Sequence, residues 1–232
     1  MLQALLELLY PPACIACAKV MLVSTPFCET CDLALERLPT PRCRTCAEPG
    51  AFPRDTCPRC HLSPPPFSRA WAPFAHEGPV ARAIHRFKYE DHPELAPALA
   101  ALLAAECPRF LAQAPPVLVP LPLHDRRFRE RKYDQTWLLA SALARVTRRS
   151  ARADLLTRVR ETRRQVGLSE AERALNVSDA FHASPAATGQ ELLLVDDVLT
   201  TGATVRAAAL ALRRAGASRI QVLTLARAFS LA

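Results

Sequence analysis

The stretch that decides the fold is LLLVDDVLTTGAT, residues 192–204. Four consecutive apolar residues followed by two carboxylates predict a buried strand of a parallel sheet that ends at Asp196 and Asp197. A small loop with a glycine comes next, and helical composition then continues to Arg214, before the stop signal at Gly216. A strand, an acidic pair, a loop and a helix in this order predict an α/β sheet with a ligand outside the carboxyl ends of its strands.

The loop after the acidic pair has the composition of a monophosphate cradle. The N-terminus of the predicted helix offers unpaired N–H groups and a partial positive charge to an anion. Glycine allows close approach of the backbone, and threonine hydroxyls add hydrogen-bond donors. Asp196 and Asp197 precede the loop, where they can accept hydrogen bonds from sugar hydroxyls. The predicted phosphate-binding residues are Thr200, Thr201, Gly202, Ala203 and Thr204.

This loop is not a Walker loop, because no lysine follows its glycine. It resembles the 5-phosphoribosyl-1-pyrophosphate (PRPP) signature of type I phosphoribosyltransferases, in which an apolar strand runs into two acids and a T-T-G-x-T loop. The alternative is an ordinary strand-to-helix turn whose threonines only cap the helix. Two adjacent acids at a strand end are costly without a cation or a ligand, so we favour the ligand-binding interpretation.

Eight of the nine cysteines form four C-x-x-C pairs that are separated by ten, eleven and ten residues. The first and second pairs recur 29 positions further along the chain as the third and fourth, which indicates a duplicated module. One such pair can bind one side of a metal ion, and a hairpin of ten residues can bring the next pair opposite. The pattern predicts two structural zinc (Zn²⁺) sites. Their ligands are Cys14, Cys17, Cys28, Cys31, Cys43, Cys46, Cys57 and Cys60.

Two pairings of these ligands have the required spacing. Sequential pairing closes each ribbon locally, whereas an interleaved cross-brace would join the first and third pairs and the second and fourth pairs. A closed site of four sulfur ligands leaves no open coordination position, so the zinc ions are expected to be structural. A thioredoxin-like dithiol would not explain four copies. Zinc-bound cysteine, together with an N-terminus that lacks a secretion signal, predicts a cytoplasmic location.

The composition of the chain and a proline-rich linker predict two domains. With 232 residues, half of them hydrophobic, the chain can bury one core and carry one smaller module. The proline-rich stretch at 62–68 predicts a boundary between a double zinc ribbon, residues 1–68, and an α/β domain, residues 69–232. Residues 1–10 are expected to form a short helix on the ribbon, with a membrane-surface anchor as the alternative. No transmembrane segment is expected.

The charge of the chain favours anionic partners. The net charge of +8 fits nucleic acids or phosphorylated metabolites, and it does not choose between them. Five cations lie within residues 126–132, after a predicted strand at 117–124 and before a predicted helix at 135–147. Arg127 and Arg131 in this segment are predicted to bind the pyrophosphate of PRPP. A solvated charged face is the alternative, and the neighbouring PRPP loop favours the ligand.

The chain as a whole resembles the ComF family of phosphoribosyltransferase-like competence proteins. Besides the double ribbon and the acidic loop, the resemblance rests on motifs spread along the chain. These are H-x-x-K-Y at 85–89, V-P-x-P-L-H at 119–124 and T-x-x-Q-x-x-L-S-x-x-E-R-x-x-N at 162–176. One motif departs, because R-K-Y-D-Q at 131–135 replaces R-G-F-N-Q. Lys132 is expected to obstruct an unusual backbone angle or a close ligand approach, and Asp134 adds a negative charge.

The resemblance implies a type I phosphoribosyltransferase-like parallel sheet with helices on both faces, preceded by a small double zinc-ribbon domain. It implies Lys88 as a PRPP-binding residue, Mg²⁺ as the ion bound with PRPP, and catalytic roles for Asp196 and Asp197. It also implies a role in natural transformation, with single-stranded DNA or a DNA-import motor protein as partner. The alternative function is a phosphoribosyltransferase that acts on an unidentified nitrogen base and has no direct DNA role. For either function the segment at 155–180, with its weak apolar pattern, is a candidate lid.

Overall fold

The computed structural model describes residues 11–123, 132–159 and 180–229. Its main sheet is parallel, with strand order β1-β8-β7-β3-β4 and with β2 paired to the far end of β8. A separate antiparallel pair joins β5 and β6. The strands are β1 (Arg69–Trp71), β2 (Phe74–Ala75), β3 (Val117–Pro120), β4 (Ser150–Ala151), β5 (Leu156–Arg158), β6 (Phe181–Ala183), β7 (Glu191–Leu199) and β8 (Arg219–Arg227).

Helices cover both faces of this sheet, as the sequence predicts. Leu193 and Val195 of β7 belong to a core that also contains residues of α3, α4 and α6, whereas Leu192 and Leu194 belong to a core that contains residues of α7, β5 and β6. The alternation follows from the period of two in a strand, and burial on both sides explains the continuous apolar run. The helices are α1 (Glu29–Leu33), α2 (Pro58–Leu62), α3 (Gly78–Tyr89), α4 (Ala96–Glu106), α5 (Pro108–Ala112), α6 (Gln135–Thr147) and α7 (Ala203–Arg214).

The two ribbons repeat each other in geometry as well as in sequence. In the first ribbon Cys14 N donates to Lys19 O at 2.9 Å, and in the second Cys43 N donates to Glu48 O at 2.7 Å. The second cysteine pair of each ribbon begins a short helix, with Cys28 before α1 and Cys57 before α2. Equivalent backbone hydrogen bonds at positions 29 residues apart support a duplicated module.

Both ribbons pack against the α/β domain. The first shares a hydrophobic core with α3, and the guanidinium of Arg86 on α3 donates to Ile15 O at 2.9 Å. The second meets the sheet where β1 begins, since Ala70 N donates to Thr45 O at 2.7 Å. The first ribbon therefore packs against α3 and the second against β1. Both of these elements extend toward the carboxyl ends of the strands.

Some elements differ from the sequence-based expectation. Strand β7 does not end at the acidic pair, because Asp196 pairs in register with Thr224 and Leu199 pairs with Arg227. The short elements β4, α5 and β5 were not predicted, and β5 lies at the start of the segment expected to be a lid. Residues 160–179 of that candidate lid lie outside the described residues. Among the helices of the described ranges, none is long and apolar enough to cross a membrane.

Candidate functional site

The two acids of the central strand face different sides of the sheet. Side chains alternate along β7, so Asp197 follows Leu193 and Val195 toward α3, and Asp196 follows Leu194 toward α7 and β5. Asp197 is 6% exposed, and Asp196 is partly exposed. The adjacent carboxylates therefore have different surroundings, although both lie near the carboxyl end of the strand.

Asp197 forms an ion pair with Lys88 of α3. The Nζ of Lys88 lies 2.6 Å from Oδ1 of Asp197, and the two side chains are only 17% and 8% exposed. A buried carboxylate is costly without a partner, and this lysine supplies one. The structure thus brings two of the residues named from the sequence into direct contact, although they stand 109 positions apart in the chain.

The pKa of Asp196 departs from its ordinary value. Burial, and then the negative charge of Asp197, raise the pKa of Asp196 to about 8. Lys88 and Arg158 act in the opposite direction. Arg158 ends β5, with its guanidinium 5.4 Å from the ring centroid of Phe181. Around neutral pH Asp196 therefore carries a proton in much of the ligand-free protein, and a ligand that donates hydrogen bonds to its carboxylate would displace that proton.

His76 is a site residue that the sequence did not reveal. It is half-buried directly after β2, and its backbone N donates to Arg227 O at 2.9 Å. Burial, and then the positive charge of Lys88, lower the pKa of this imidazole, while the charge of Asp197 opposes the shift. A neutral imidazole beside the Lys88–Asp197 pair can accept a proton. No spacing motif in the sequence marks His76, because its proximity to the pair arises from the parallel packing of β2 on β8.

The backbone conformation of the loop after β7 explains its glycine. Gly202 has φ of 79°, a left-handed value that favours glycine. A Cβ at this position would meet only Leu199 Cδ1 at 3.6 Å, so the backbone angle and not the available space favours glycine. Thr201 Oγ1 accepts a hydrogen bond from Ala203 N at 3.4 Å, at the start of α7. Thr200 is exposed and Thr204 is partly exposed, which leaves the loop accessible to a phosphate.

Strand β3 ends beside the acidic pair. Leu121 N donates to Val195 O at 2.9 Å, and Leu121 O accepts a hydrogen bond from Thr136 Oγ1 at 2.7 Å. These contacts bring the end of β3 and the start of α6 to the same edge of the sheet as Asp196. Arg127 and Arg131, which the sequence predicts to bind pyrophosphate, lie outside the described residues.

The structure shows the local surroundings of Lys132 and Asp134, the two residues that depart from the glycine and asparagine of the R-G-F-N-Q motif. Lys132 has φ of 63°, so this position does need the left-handed angle expected for a glycine. Its side chain is 78% exposed, with Nζ 3.6 Å from Asp91 Oδ2. Asp134 caps α6, because its Oδ1 accepts hydrogen bonds from Trp137 N at 2.9 Å and from Thr136 Oγ1 at 2.7 Å. Asp134 thus performs the capping role that asparagine can also perform.

The eight predicted metal ligands form two groups of four. Within each group the sulfur atoms lie within 4.8 Å of one another, and the pairing is sequential. A tetrahedral zinc ion with Zn–S bonds of about 2.3 Å requires sulfur atoms about 3.8 Å apart. The Sγ atoms of Cys17 and Cys28 are 3.8 Å apart, and those of Cys46 and Cys57 are 3.6 Å apart. Both groups fit zinc, and they are two Cys₄ zinc-binding sites.

Cys107, the cysteine outside these groups, is 2% exposed. Burial raises the pKa of its thiol to about 12, so the thiol stays protonated and unreactive.

The fold and the site define a class, that of phosphoribosyltransferase-type α/β proteins with an N-terminal double zinc ribbon. The family model of the phosphoribosyl transferase domain matches residues 138–230, and that of the double zinc ribbon domain matches residues 5–61. These matches agree with the parallel sheet and the two Cys₄ sites.

Relatives of similar length narrow the class to one family. The chain is 34% identical over 224 residues to the DNA utilization protein YhgH of Salmonella typhimurium, covering 94% of this chain and 97% of that protein. It is 28% identical over 223 residues to competence protein F of Haemophilus influenzae, covering 93% of this chain and 96% of that protein. Competence protein ComFC of Bacillus subtilis is 28% identical over 155 residues, covering 66% of this chain and 62% of that protein. The chain belongs to the ComF family.

Proposed function

We propose that this protein supports the uptake or use of DNA, handling single-stranded DNA in the cytoplasm, and that it does so with a working site for Mg²⁺-bound PRPP. The observation that carries the PRPP site is the convergence of the Lys88–Asp197 pair, Asp196 and the loop at 200–204 at one edge of the sheet. The DNA role is supported by relatives named for DNA utilization and competence that match nearly the whole chain. PRPP binding and DNA handling are each open to separate tests.

Each part of PRPP finds a chemically matched group at this edge. The loop at 200–204 and the N-terminus of α7 would hold the 5′-phosphate through N–H and hydroxyl donors. Asp196 and Asp197 would accept hydrogen bonds from the ribose hydroxyls. Lys88 would bind the pyrophosphate at this edge, and Arg127 and Arg131, which lie outside the described residues, would add to it as the sequence predicts. Mg²⁺ brought in with the pyrophosphate would reduce the negative charge beside Asp196 and Asp197.

The ion pair of Lys88 with Asp197 has a consequence for binding. Without ligand, the ammonium group compensates the buried carboxylate at 2.6 Å. A lysine ammonium has three donors, so Lys88 can keep Asp197 and still donate to a phosphate oxygen. Replacing Lys88 with methionine would leave Asp197 without its partner and would remove one donor from the ligand, so both stability and PRPP affinity should fall.

A second candidate function is supported by His76. In a phosphoribosyl transfer, a nitrogen nucleophile forms a bond to C1 of the ribose while the bond from C1 to the pyrophosphate oxygen breaks through an oxocarbenium-like state. The nucleophile then has to lose a proton, and the neutral imidazole of His76 near Lys88 and Asp197 can accept it. Release of pyrophosphate from PRPP with a panel of nitrogen bases, reduced in His76→Asn, would support this function. A panel without release above background would exclude turnover on those bases.

Complementation tests the main proposal. An Escherichia coli strain that lacks its DNA utilization relative, which is 33% identical to this chain over 204 residues, would receive this chain or its Asp196→Asn/Asp197→Asn variant. We expect the unchanged chain to restore DNA utilization in that strain and the variant to fail at an equal protein level. No rescue by a well-expressed unchanged chain would count against the DNA role, and equal rescue by both would show that the role does not need the acidic pair.

A further inference from the structure

A cluster of arginines lies at the amino ends of the strands, away from the candidate PRPP site. Helices α6 and α7 run opposite to the strands, so their last turns meet the starts of β4 and β8 at this edge. We define the arginine face as the six arginines found there. They are Arg145, Arg148, Arg149, Arg213, Arg214 and Arg219.

Hydrogen bonds show that the arginines at the end of α6 and those at the end of α7 belong to one continuous surface. The guanidinium of Arg149 donates to Leu111 O, and that of Arg219 donates to Gln113 O at 3.1 Å. Arg213 donates to Ser218 O at 2.9 Å, next to Arg219. The end of α5 and the turn after it therefore contact both the end of α6 and the start of β8. The turn before β8 also contacts the end of α7. The arginines form a band across the edge and are not scattered over several surfaces.

This band has a strong excess of positive charge. Arg145, Arg148, Arg213 and Arg214 are exposed, and Arg149 and Arg219 are partly exposed. At the same edge, among the described residues, Glu191 is the acid that meets the face, with Oε2 3.5 Å from Arg219. Arg219 shares its charge with Glu191, and Arg145, Arg148, Arg149 and Arg213 leave about four positive charges to interact with an outside partner.

Helix capping explains only part of this cluster. Arginines near a helix C-terminus commonly bind nearby carbonyl groups. Here Arg149 donates to carbonyls at and after the end of α5, and Arg213 donates to Ala217 O and Ser218 O in the turn after α7. In contrast, the guanidinium groups of Arg145 and Arg148 make no hydrogen bond or ion pair with any described residue, and both side chains are exposed. A guanidinium has five N–H donors, so even the capping arginines keep donors for an external oxygen.

We propose that the arginine face binds the phosphate backbone of single-stranded DNA. This inference rests on the DNA part of the proposed function and adds a location that is separate from the PRPP site. Strand β7 has nine residues, so the face and the loop at 200–204 are about 26 Å apart at about 3.3 Å per residue. One molecule can thus hold DNA at one edge of the sheet and a phosphoribosyl ligand at the other.

The chemistry of the face determines how it binds DNA. Arginine forms bidentate hydrogen bonds to phosphate oxygens, which a flexible single strand can present in succession. The exposed aromatic side chains of the described ranges are Tyr89 on α3 and Trp137 in the first turn of α6, and neither lies at this edge. Binding should therefore depend little on base sequence, because base stacking contributes little here. It should depend steeply on salt, because binding releases counterions.

Fluorescence anisotropy with a labelled single strand of mixed sequence would measure this binding. With about four phosphate contacts, log Kd should change with log salt concentration with a slope of about 2.8, since each contact on a single strand contributes about 0.7. The variant Arg145→Gln/Arg148→Gln should lower that slope to about 1.4. If the electrostatic contribution vanishes at 1 M salt, its affinity falls about 60-fold at 50 mM salt and about tenfold at 200 mM.

A matched control separates this face from general charge. The variant Arg44→Gln/Arg54→Gln removes two exposed arginines from the second ribbon and changes the net charge equally. We expect this variant to bind DNA like the unchanged protein. A loss of affinity in the ribbon variant but not in the face variant would overturn the proposal and place DNA on the ribbon. Equal losses in both would mean that net charge, without a defined surface, drives binding, which would also overturn it.

Two further measurements complete the test. Unlabelled polyglutamate of equal charge should displace the DNA poorly, and displacement as good as that by unlabelled DNA would overturn the assignment to DNA in favour of an acidic protein. Calorimetry with Mg²⁺ and PRPP should give the same affinity for the face variant as for the unchanged protein. Loss of DNA binding with intact PRPP binding supports the face. If the unchanged protein binds PRPP but no DNA at 50 mM salt, the face is refuted while the PRPP site stands.

Discussion

Substitution of Glu48 by glutamine should reveal how the second ribbon supports the phosphate loop. Glu48 lies on the ribbon, and its Oε2 accepts a hydrogen bond from the guanidinium of Arg227, the last residue of β8. The side chain of Arg227 is 1% exposed and that of Glu48 is 30% exposed. Arg227 also pairs in register with Leu199, and Ala228 N donates to Leu199 O at 2.9 Å, directly before Thr200. The ion pair therefore connects the ribbon to Leu199, the residue directly before the loop.

The cost of Glu48→Gln follows from these exposures. Removing one partner of a fully buried ion pair costs about 3–5 kcal/mol, because the remaining charge stays buried. Glu48 is partly exposed, so water already weakens the pair, and glutamine keeps one acceptor oxygen. We therefore expect a loss of about 2 kcal/mol in the free energy of unfolding. Glu48→Gln/Arg227→Met should be more stable than Glu48→Gln alone, since it removes the unpaired buried charge.

Urea unfolding of zinc-loaded protein measures this loss, and hydrogen exchange locates it. Amide exchange at residues 200–206 should accelerate in Glu48→Gln, because Arg227 helps to hold the end of β7. Glu191→Gln is the matched control, since its partner Arg219 lies at 3.5 Å and the two side chains are 39% and 48% exposed. That control should lose less than about 0.5 kcal/mol. A Glu48→Gln protein within 0.5 kcal/mol of the unchanged protein, with unchanged exchange in the loop, would refute the reasoning.

Two other substitutions have defined outcomes. Because the pKa of Asp196 is raised to about 8 from the value of 3.8 for a free aspartate, its contribution to stability is present below about pH 4 and is lost as pH rises through about 8. Urea unfolding at pH 6 and pH 8 should show this loss in the unchanged protein and a smaller loss in Asp196→Asn; equal losses would contradict the shifted pKa. Lys132→Gly should raise the melting temperature and the free energy of unfolding, by about 0.5–1 kcal/mol, because Lys132 has φ of 63°. A destabilised glycine variant would show that the lysine side chain outweighs the backbone strain.

Local patterns predicted the elements that carry their own signals. The helix at 135–147 begins at the residue after Asp134, a capping residue, and its bounds match the prediction. The four C-x-x-C pairs predicted both zinc sites, although spacing alone did not distinguish sequential from interleaved ligands. Strand β7 was predicted too short, because carboxylates are uncommon in strands. Pairing of Asp196 with Thr224 on β8 overrides that preference, and the pairing depends on a strand that comes later in the chain.

The candidate site contains contacts that no local pattern can show. Lys88 was named from a family motif, and its ion pair with Asp197 appears only when α3 packs over the sheet. Arg227 and Glu48 are separated by 179 positions and meet because the ribbon docks at the end of β8. His76 has no motif, and its altered pKa follows from the burial and charges that the fold creates. The sequence therefore predicts which groups could bind a phosphoribosyl ligand, and the fold determines which of them lie together.

Calorimetric titration of PRPP into the purified protein, with and without Mg²⁺, tests the central claim most directly. We expect binding that depends on Mg²⁺ in the unchanged protein and little or none in Asp196→Asn/Asp197→Asn. Because Asp196 is largely protonated near neutral pH without ligand, binding should also release a proton, detectable as heat that varies with the ionisation enthalpy of the buffer. No binding to the folded, zinc-loaded protein would contradict the claim, and so would equal binding by the double variant.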